Sequence, residues 1–212
     1  MKIVTIVGAR PQIIKAAASS RVISKNFQNI KEIIVHTGQH YDKNMSDVFF
    51  TELEIPKPQI NLKVGSSSHG AQTALMIEKI EKVMQEYSPD AVVVYGDTNS
   101  TLATAIAASK LHIPIVHIES GLRSFNKKMP EEVNRILCDH VSTLLFSPTK
   151  SGFNNLLKEG FSKENSNNAS ADYPNIYHCG DIMYDNSLYF SKLSDENSDI
   201  LGKLNLLNEK FI

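Results

Sequence analysis

The stretch "KIVTIVGARPQIIK", residues 2–15, decides the fold because a short run rich in β-branched residues ends at Gly8 and a helix-like sequence follows at once. Gly8 lets the backbone turn tightly, and Pro11 suits the first position of a helix. The stretch therefore predicts a buried strand that turns directly into a helix, as in parallel α/β sheets. Arg10 and Lys15 place two positive charges at this turn.

The same alternation continues along the chain. Further β-rich runs, separated by longer stretches of helical character, lie at residues 30–36, 90–95, 113–118 and 142–147. The clearest helix is predicted over about residues 69–87, whose apolar stripe consists of Met76, Ile80, Val83 and Tyr87. A polar segment at 163–175 predicts a mobile surface loop. The whole pattern predicts a Rossmann-like α/β fold, a parallel sheet with helices on both faces.

Composition narrows the classes of partner. The 212 residues include 22 Lys plus Arg against 23 Asp plus Glu, so no basic excess is available for nucleic acid or an anionic membrane. Cys138 and Cys179 have no CxxC spacing and no neighbouring His pattern, so we expect no metal site and a reduced, cytoplasmic location. The first apolar run is too short for a signal peptide or a membrane span.

Polar residues follow four of the five predicted strands. They are Gly8, Arg10 and Lys15 after the first, "TGQH" (37–40) after the second, "GDTNS" (96–100) after the third and "ESGLRS" (119–124) after the fourth. Ligands of parallel α/β sheets bind outside the carboxyl ends of the strands. These residues are therefore the candidates for a binding cleft.

The first of these turns predicts an anion site. Free N–H groups and the dipole of the helix, together with Arg10 and Lys15, suit phosphate or diphosphate. The alternative is that both are ordinary solvated cations, although positive charge is slightly unfavourable at a helix start. The strand is not followed by G-x-G-x-x-G, and His36 stands where a ribose-binding acid is expected, which argues against a dinucleotide.

Three carboxylates are candidates for this cleft. Asp97 and Glu119 follow neighbouring predicted strands, so they should share one cleft, although Asp97 could instead cap the next helix. Pro130 at a predicted first helical position puts Glu131 in the opening turn of a helix. An i,i+4 pair between Glu131 and Arg135 is the structural alternative there.

Seven collinear motifs carry a resemblance to a known family. They are "GARPQIIK", "HTGQHYD", "VVYGDTNSTLA", "HIESGLRSF", "MPEEVNRILCDH", "FSPT" and "GDIMYDN", and they extend from residue 1 to about residue 190. In order and spacing the chain resembles the non-hydrolysing UDP-N-acetylglucosamine 2-epimerases. The resemblance implies the N-terminal half of a glycosyltransferase-B-type two-domain fold, with a Rossmann-like domain at 1–180 and a crossover into a second domain at 181–212. It also implies a homodimer.

The resemblance implies interconversion of UDP-N-acetylglucosamine and UDP-N-acetylmannosamine without a redox cofactor, by elimination and re-addition of UDP. The residues that match the acids of the family are Asp97, Glu119 and Glu131, and those on the substrate-binding side are Gly8, Arg10 and Lys15. Gln39 and His40 match a region that contacts a second, activating substrate molecule in bacterial relatives. Tyr41 and Asp42 depart from the basic pattern found there.

Family members carry a second half of comparable size, which should supply uridine recognition and a catalytic histidine. We therefore expect little or no turnover from this chain by itself. Two other functions stay open at this point: a glycosyltransferase of the same architecture, and a non-catalytic module that binds nucleotide sugars.

Overall fold

A computed structural model describes residues 1–39, 57–204 and 206. In this part of the chain seven parallel strands form one sheet in the order β3-β2-β1-β4-β5-β6-β7. The strands are β1 (Lys2–Val7), β2 (Lys31–His36), β3 (Ile60–Asn61), β4 (Ala91–Tyr95), β5 (Ile115–Ile118), β6 (Leu144–Ser147) and β7 (Asn175–His178). The strand order reverses between β1 and β4, and such a reversal opens a crevice at the carboxyl ends of the strands.

Helices cover both faces of this sheet, as the sequence predicts. In the described residues they are α1 (Arg10–Asn26), α2 (His69–Tyr87), α3 (Asn99–Lys110), α4 (Pro130–Asp139), α5 (Lys150–Lys158), α6 (Ile182–Asn197) and α7 (Ile200–Lys203). No helix of the described residues is both long and apolar enough to cross a membrane.

Alternation along β1 directs side chains into two of the three buried hydrophobic clusters of the described residues, and the third contains Leu145, Leu156 and Ile176. Val4 and Ile6 of β1 face one core with Met76 and Ile80 of α2, which are fully buried, so the predicted helix and its stripe are confirmed. Ile3 of β1 faces the other core, beneath α1. Successive side chains of a strand point to opposite faces, so one strand serves both cores.

The polar segment before β7 protects the edge of the sheet. The Asn165 side chain donates to the carbonyl oxygen of Ile176 (3.2 Å) and accepts from its N–H group (3.1 Å). The Asn175 side chain makes the same pair of bonds with the backbone of Ser166, both at 2.8 Å. The prediction of a loop is confirmed up to residue 174, where β7 follows, and its mobility stays a prediction. Because it occupies backbone groups beside β7, it blunts an edge that could pair with another chain.

The C-terminal helix α6 packs on α1. The Asn186 side chain is buried there, accepts from the guanidinium of Arg21 (2.7 Å) and donates to the carbonyl oxygen of Ile14 (2.7 Å). The guanidinium of Arg21 also stacks 4.1 Å from the ring centre of Tyr189. The placement of a domain boundary at residue 180 stays a prediction.

Candidate active site

The turn between β1 and α1 is closed by the side chain of Gln12. Its amide oxygen accepts from the backbone N–H groups of Gly8 (2.9 Å) and Ala9 (3.1 Å). The N–H groups of Gly8 and Ala9 are therefore not available to an anion at this helix start. Pro11 has no N–H, and the N–H of Gln12 donates to the carbonyl oxygen of Ala9 (3.0 Å). Positive charge at this turn must come mainly from side chains.

Gly8 lies where β1, β2 and α3 meet. A Cβ atom on Gly8 would collide with the hydroxyl oxygens of Ser100 and Thr37. The side-chain oxygen of Gln39 accepts from the N–H (3.1 Å) and the hydroxyl (2.7 Å) of Ser100. Gln39, a predicted substrate contact, is thus buried against the first turn of α3. His40, the other residue of that prediction, lies outside the described residues.

Lys15 and Glu119 form an ion pair at the carboxyl ends of β1 and β5. Their side chains are 12% and 27% exposed, so the pair is partly screened from water. The backbone of Glu119 is left-handed (φ 75°), and the N–H groups of Glu119 and Ser120 both donate to the carbonyl oxygen of Phe146. A non-glycine residue in this conformation costs on the order of 1–3 kcal/mol, and such strain clusters at functional sites.

Asp97 is held by Arg135 of α4 through an ion pair. The helix cap of α3 is Thr98, whose side-chain oxygen accepts from the N–H of Thr101 (3.3 Å). The interpretation of Asp97 as a helix cap is therefore wrong. The carbonyl oxygen of Asp97 accepts from the side-chain amide of Asn134 (2.9 Å). Helix α4 therefore holds both the side chain and the backbone of Asp97.

The first turn of α4 contains two acids in different surroundings. Glu132 is buried and accepts from the N–H groups of Ser124 and Phe125, both at 2.9 Å, and from Arg135 at 2.6 Å. Burial raises the pKa of Glu132, but these N–H groups and Arg135 outweigh it and lower the pKa. Glu131 is exposed and has no hydrogen-bond partner among the described residues. The structural alternative, a pair of Glu131 with Arg135, is wrong, because Arg135 faces Glu132 and Asp97.

Gly96 lies beside the ion pair of Lys15 and Glu119. A Cβ atom on it would lie 3.1 Å from a carboxylate oxygen of Glu119 and 3.5 Å from the ammonium nitrogen of Lys15. Asp97 is the next residue along the chain. The structure thus brings the side chains of Lys15 and Glu119 together at the carboxyl end of the sheet, and Asp97 lies in the adjoining loop, where its carboxylate pairs with Arg135. Arg10 is exposed at the first position of α1, directly after β1.

A cavity of about 250 Å³ opens beside Glu119. Its apolar wall is formed by Ile118, Phe146 and Pro148, and Asp181 lies at its rim. This volume suits part of a ligand, because whole drug-sized ligands occupy roughly 300–1,000 Å³. A larger cavity, about 900 Å³, lies between the end of α5 and the start of β7 and is lined by none of the predicted site residues.

A buried network beneath these loops was missed by the sequence analysis. The two ring nitrogens of His117 lie 2.7 Å from a carboxylate oxygen of Asp139 and 2.8 Å from the carbonyl oxygen of Gly96. The second carboxylate oxygen of Asp139 accepts from the N–H of Gly121 (3.0 Å) and from Arg123 (2.7 Å). The one signal in the sequence was a histidine inside an otherwise apolar strand. Among the described residues, no cluster of three or more His, Cys, Asp or Glu could hold a metal ion.

Comparison with known proteins decides the family. The family model described as UDP-N-acetylglucosamine 2-epimerase matches residues 23–212. The chain belongs to the UDP-N-acetylglucosamine 2-epimerase family. The resemblance seen in the seven motifs is therefore confirmed.

Similar proteins and structures agree with this membership. A Methanococcus maripaludis "UDP-N-acetylglucosamine 2-epimerase homolog" is 52% identical over 213 residues, which cover 100% of this chain and 56% of that protein. The Pseudomonas aeruginosa "UDP-2,3-diacetamido-2,3-dideoxy-D-glucuronate 2-epimerase" is 53% identical over 192 residues, 91% of this chain and 52% of that protein. The chain spans about half the length of the curated relatives it matches.

A solved structure has the same fold as this chain. The crystal structure of the Methanocaldococcus jannaschii UDP-GlcNAc 2-epimerase, in complex with UDP-GlcNAc and UDP, matches with a TM-score of 0.86 at 44% identity. The match covers 97% of this chain and 53% of that one. The predicted fold class, the Rossmann-like half of a glycosyltransferase-B-type epimerase, is thereby confirmed.

Proposed function

We propose that this chain forms the N-terminal half of a non-hydrolysing UDP-N-acetylglucosamine 2-epimerase, which interconverts UDP-N-acetylglucosamine and UDP-N-acetylmannosamine. The observation that carries the proposal is the ion pair of Lys15 with Glu119 beside Gly96, the residue before Asp97, at the carboxyl ends of the strands. The family, and the UDP-GlcNAc and UDP named for the Methanocaldococcus jannaschii structure, support a UDP-sugar as the ligand.

The proposed chemistry explains the mixture of acids and cations. The hydrogen on C2 of the sugar has no adjacent carbonyl group, so its direct removal is slow. Coupling that removal to departure of UDP is easier: the C2–H and C1–O bonds break, a base takes the proton, and 2-acetamidoglucal and UDP result. Delivery of a proton to the other face of C2 and return of UDP to C1 complete the epimerisation.

The residues then divide by charge. Glu119, Asp97 and Glu131 are the proposed acids and bases, and a positioned general base contributes on the order of 10²–10⁴ in rate. Arg10 and Lys15 are proposed to stabilise charge that develops on the leaving diphosphate. Lys15 already lies beside Glu119, so proton transfer and departure of UDP would be coupled at one cation.

A second domain is proposed to complete the site by binding uridine and supplying a catalytic histidine. Exposed apolar side chains on α6 and α7 support such a domain, because they form a surface that it could cover: Tyr184, Leu188, Ile200, Leu201 and Leu204. We therefore expect no deuterium at C2 when the 212-residue chain alone is incubated with UDP-N-acetylglucosamine in D₂O. Incorporation observed by NMR would contradict this division of the site.

The proposed assembly is a homodimer. Met129, Val133 and Leu137, in and just before α4, are spaced four residues apart on one face, and they are 38–47% exposed. An apolar stripe of this kind supports an interface with a second copy. Sedimentation equilibrium tests it: Leu137→Lys should shift a dimer to the monomer, and a wild-type monomer would contradict it.

One relative favours a second candidate substrate. The Pseudomonas aeruginosa protein, 53% identical, is named for a UDP-2,3-diacetamido uronate. The same elimination would apply to that sugar, because its C2 also lacks an adjacent carbonyl. Assays with both sugars separate the candidates by their ratio of kcat/KM.

The test of the proposed function uses a chimera in which this chain replaces the matching half of the Methanocaldococcus jannaschii enzyme, joined within α6. We expect formation of UDP-N-acetylmannosamine with deuterium at C2 in D₂O. Glu119→Gln should lower kcat/KM by about 10²–10⁴, since it removes a proposed base. The matched control is Glu78→Gln, because Glu78 is exposed on α2 and, among the described residues, pairs with Lys82 of the same helix.

Three results would contradict the proposal. Transfer of the sugar to an added acceptor would indicate a glycosyltransferase. Binding of UDP-sugar by a folded chimera without exchange at C2 would indicate a binding module. An equal effect of Glu119→Gln and Glu78→Gln would remove Glu119 from the chemistry.

A further inference from the structure

The network of His117 and Asp139 is buried completely. Both side chains are 0% exposed. His117 lies in β5, two residues before Glu119, and Asp139 is the last residue of α4. Burying two ionisable groups costs free energy unless each is paired and hydrogen-bonded, so this arrangement needs a physical reason.

The partners of His117 fix its protonation state. Both ring nitrogens face oxygen atoms that accept hydrogen bonds, namely the carbonyl oxygen of Gly96 and a carboxylate oxygen of Asp139. A neutral imidazole has one N–H, so one of its nitrogens would face an acceptor without a hydrogen between them. Two N–H donors require the imidazolium form. The N–H of Gly121 and the guanidinium of Arg123 on the other oxygen of Asp139 favour the ionised carboxylate.

The charged surroundings agree with this geometry. Burial by itself would lower the pKa of His117, but Cys138 and Asp139 outweigh it, and the pKa is raised well above its ordinary value. Burial by itself would raise the pKa of Asp139, but His117 and Arg123 outweigh it, and that pKa is lowered. The titratable and charged groups that face the ring therefore come from α4 (Asp139 and Cys138) and, through Asp139, from Arg123 after β5. The contact from the end of β4 is a carbonyl group.

The pair connects the two loops that carry the proposed acids. Gly96 immediately precedes Asp97, and its carbonyl oxygen accepts from His117. Gly121 lies two residues after Glu119, and its N–H donates to Asp139. The His117–Asp139 pair therefore holds one loop against the other from below.

We propose that His117, as a buried imidazolium paired with Asp139, is a positioning residue that sets the location of Asp97 relative to Glu119. The significance of these two acids rests on the proposed function, but the protonation state and the coupling of the loops do not. Their test can therefore fail or succeed without any UDP-sugar.

The test uses ¹⁵N- and ¹³C-labelled 212-residue chain. In the wild type, NMR of the imidazole should show hydrogen on both ring nitrogens of His117 at pH 7. In His117→Asn, exchange of the Gly121 amide should become at least tenfold faster, and the side-chain carboxyl resonances of Asp97 and Glu119 should shift. The matched control is His112→Asn, because His112 is exposed and Asn tolerates its left-handed backbone (φ 56°). The control should leave all three signals unchanged.

One unprotonated ring nitrogen on His117 at pH 7 would overturn the proposal. Unchanged carboxyl resonances in a folded His117→Asn would also overturn it, because His117 would then be structural only. If His117→Asn does not fold, the pH of the wild-type sample is raised until the imidazolium of His117 loses one of its two ring N–H protons. The carboxyl resonances of Asp97 and Glu119 should shift with the same midpoint, and a lack of response there would overturn the positioning role.

Discussion

At the scale of single residues, Gln12 holds the turn on which the site is built. Its side chain joins two N–H groups after β1 to the carbonyl oxygen of Tyr95 (2.8 Å) and the hydroxyl of Thr101 (2.9 Å). One amide therefore connects β1, β4 and α3. Because these partners are buried, water cannot replace the hydrogen bonds that they make with Gln12.

Gln12→Met should lower the free energy of unfolding by about 2–4 kcal/mol, since each buried polar group left unpaired costs roughly 1–3 kcal/mol. Urea denaturation followed by circular dichroism measures it. Gln85→Met, at an exposed position of α2, is the matched control and should change the free energy of unfolding by less than about 0.5 kcal/mol. Equal effects of the two substitutions would contradict the role of Gln12.

Gly8→Ala should destabilise the protein by about 1–3 kcal/mol, because the added methyl group collides with Ser100 and Thr37. The control is Gly70→Ala in α2, where a Cβ atom meets open space. That change should be neutral or stabilise by up to about 1 kcal/mol. Midpoints of urea unfolding compare the two variants, and a stabilising Gly8→Ala would show that the close approach is not tight.

The charge of His117 predicts a dependence of stability on pH. Its raised pKa means that its contribution is complete below the ordinary pKa of about 6.5 and is lost as pH rises through the pKa of the folded state. The lowered pKa of Asp139 means that its contribution is lost as pH falls below about 4. The difference in free energy of unfolding between wild type and His117→Asn should therefore be largest near pH 5–6 and shrink toward pH 9. A difference that grows with pH would contradict the imidazolium.

Sequence reasoning reached part of the site and missed its supports. Asp97 and Glu119 could be predicted because each follows a recognisable strand, and the ends of neighbouring parallel strands are close. The roles of Gln12 and His117 could not, because their partners Tyr95, Thr101 and Asp139 are 22 to 89 residues away. Pairs that depend on the final arrangement of the sheet leave no mark in local spacing.

At the scale of elements, α1 and α6 form one unit. Asn186→Ala would leave the carbonyl oxygen of Ile14 and the guanidinium of Arg21 without their shared amide partner. Hydrogen exchange of the α6 amides should then become roughly tenfold faster or more, as expected for a loss of at least about 1.4 kcal/mol. Ser187→Ala is the matched control, because Ser187 is exposed and its hydroxyl donates to the carbonyl oxygen of Met183 within α6. Equal protection in both variants would contradict the docking of α6 through Asn186.

Helices and strands with a long, regular pattern of apolar residues could be predicted from the sequence, and those without one could not. The helix predicted over about 69–87 is observed at His69–Tyr87, because its apolar stripe is long and regular. The strands β3 and β7 were not predicted. β3 has two residues, and β7 begins at a polar Asn whose side chain bonds the preceding loop, so neither shows an apolar pattern.

At the scale of the whole molecule, the sheet brings residues from distant parts of the chain to one edge. Strand reversal between β1 and β4 opens a crevice, and Lys15, Glu119 and Asp97 lie at its border. The chain covers about half the length of its relatives, and the proposed function assigns uridine binding and a catalytic histidine to a second domain. In the proposed function the sugar ring lies against the two acids while its diphosphate meets the cations.

A crystal structure of the chimera with bound UDP-N-acetylglucosamine would locate the sugar and its diphosphate. We expect C2 of the sugar within about 3–4 Å of a carboxylate oxygen of Glu119 or Asp97, the distance that proton transfer requires. We also expect the diphosphate against Arg10 or Lys15. A sugar ring bound away from both carboxylates, with its diphosphate remote from both cations, would contradict the proposed function.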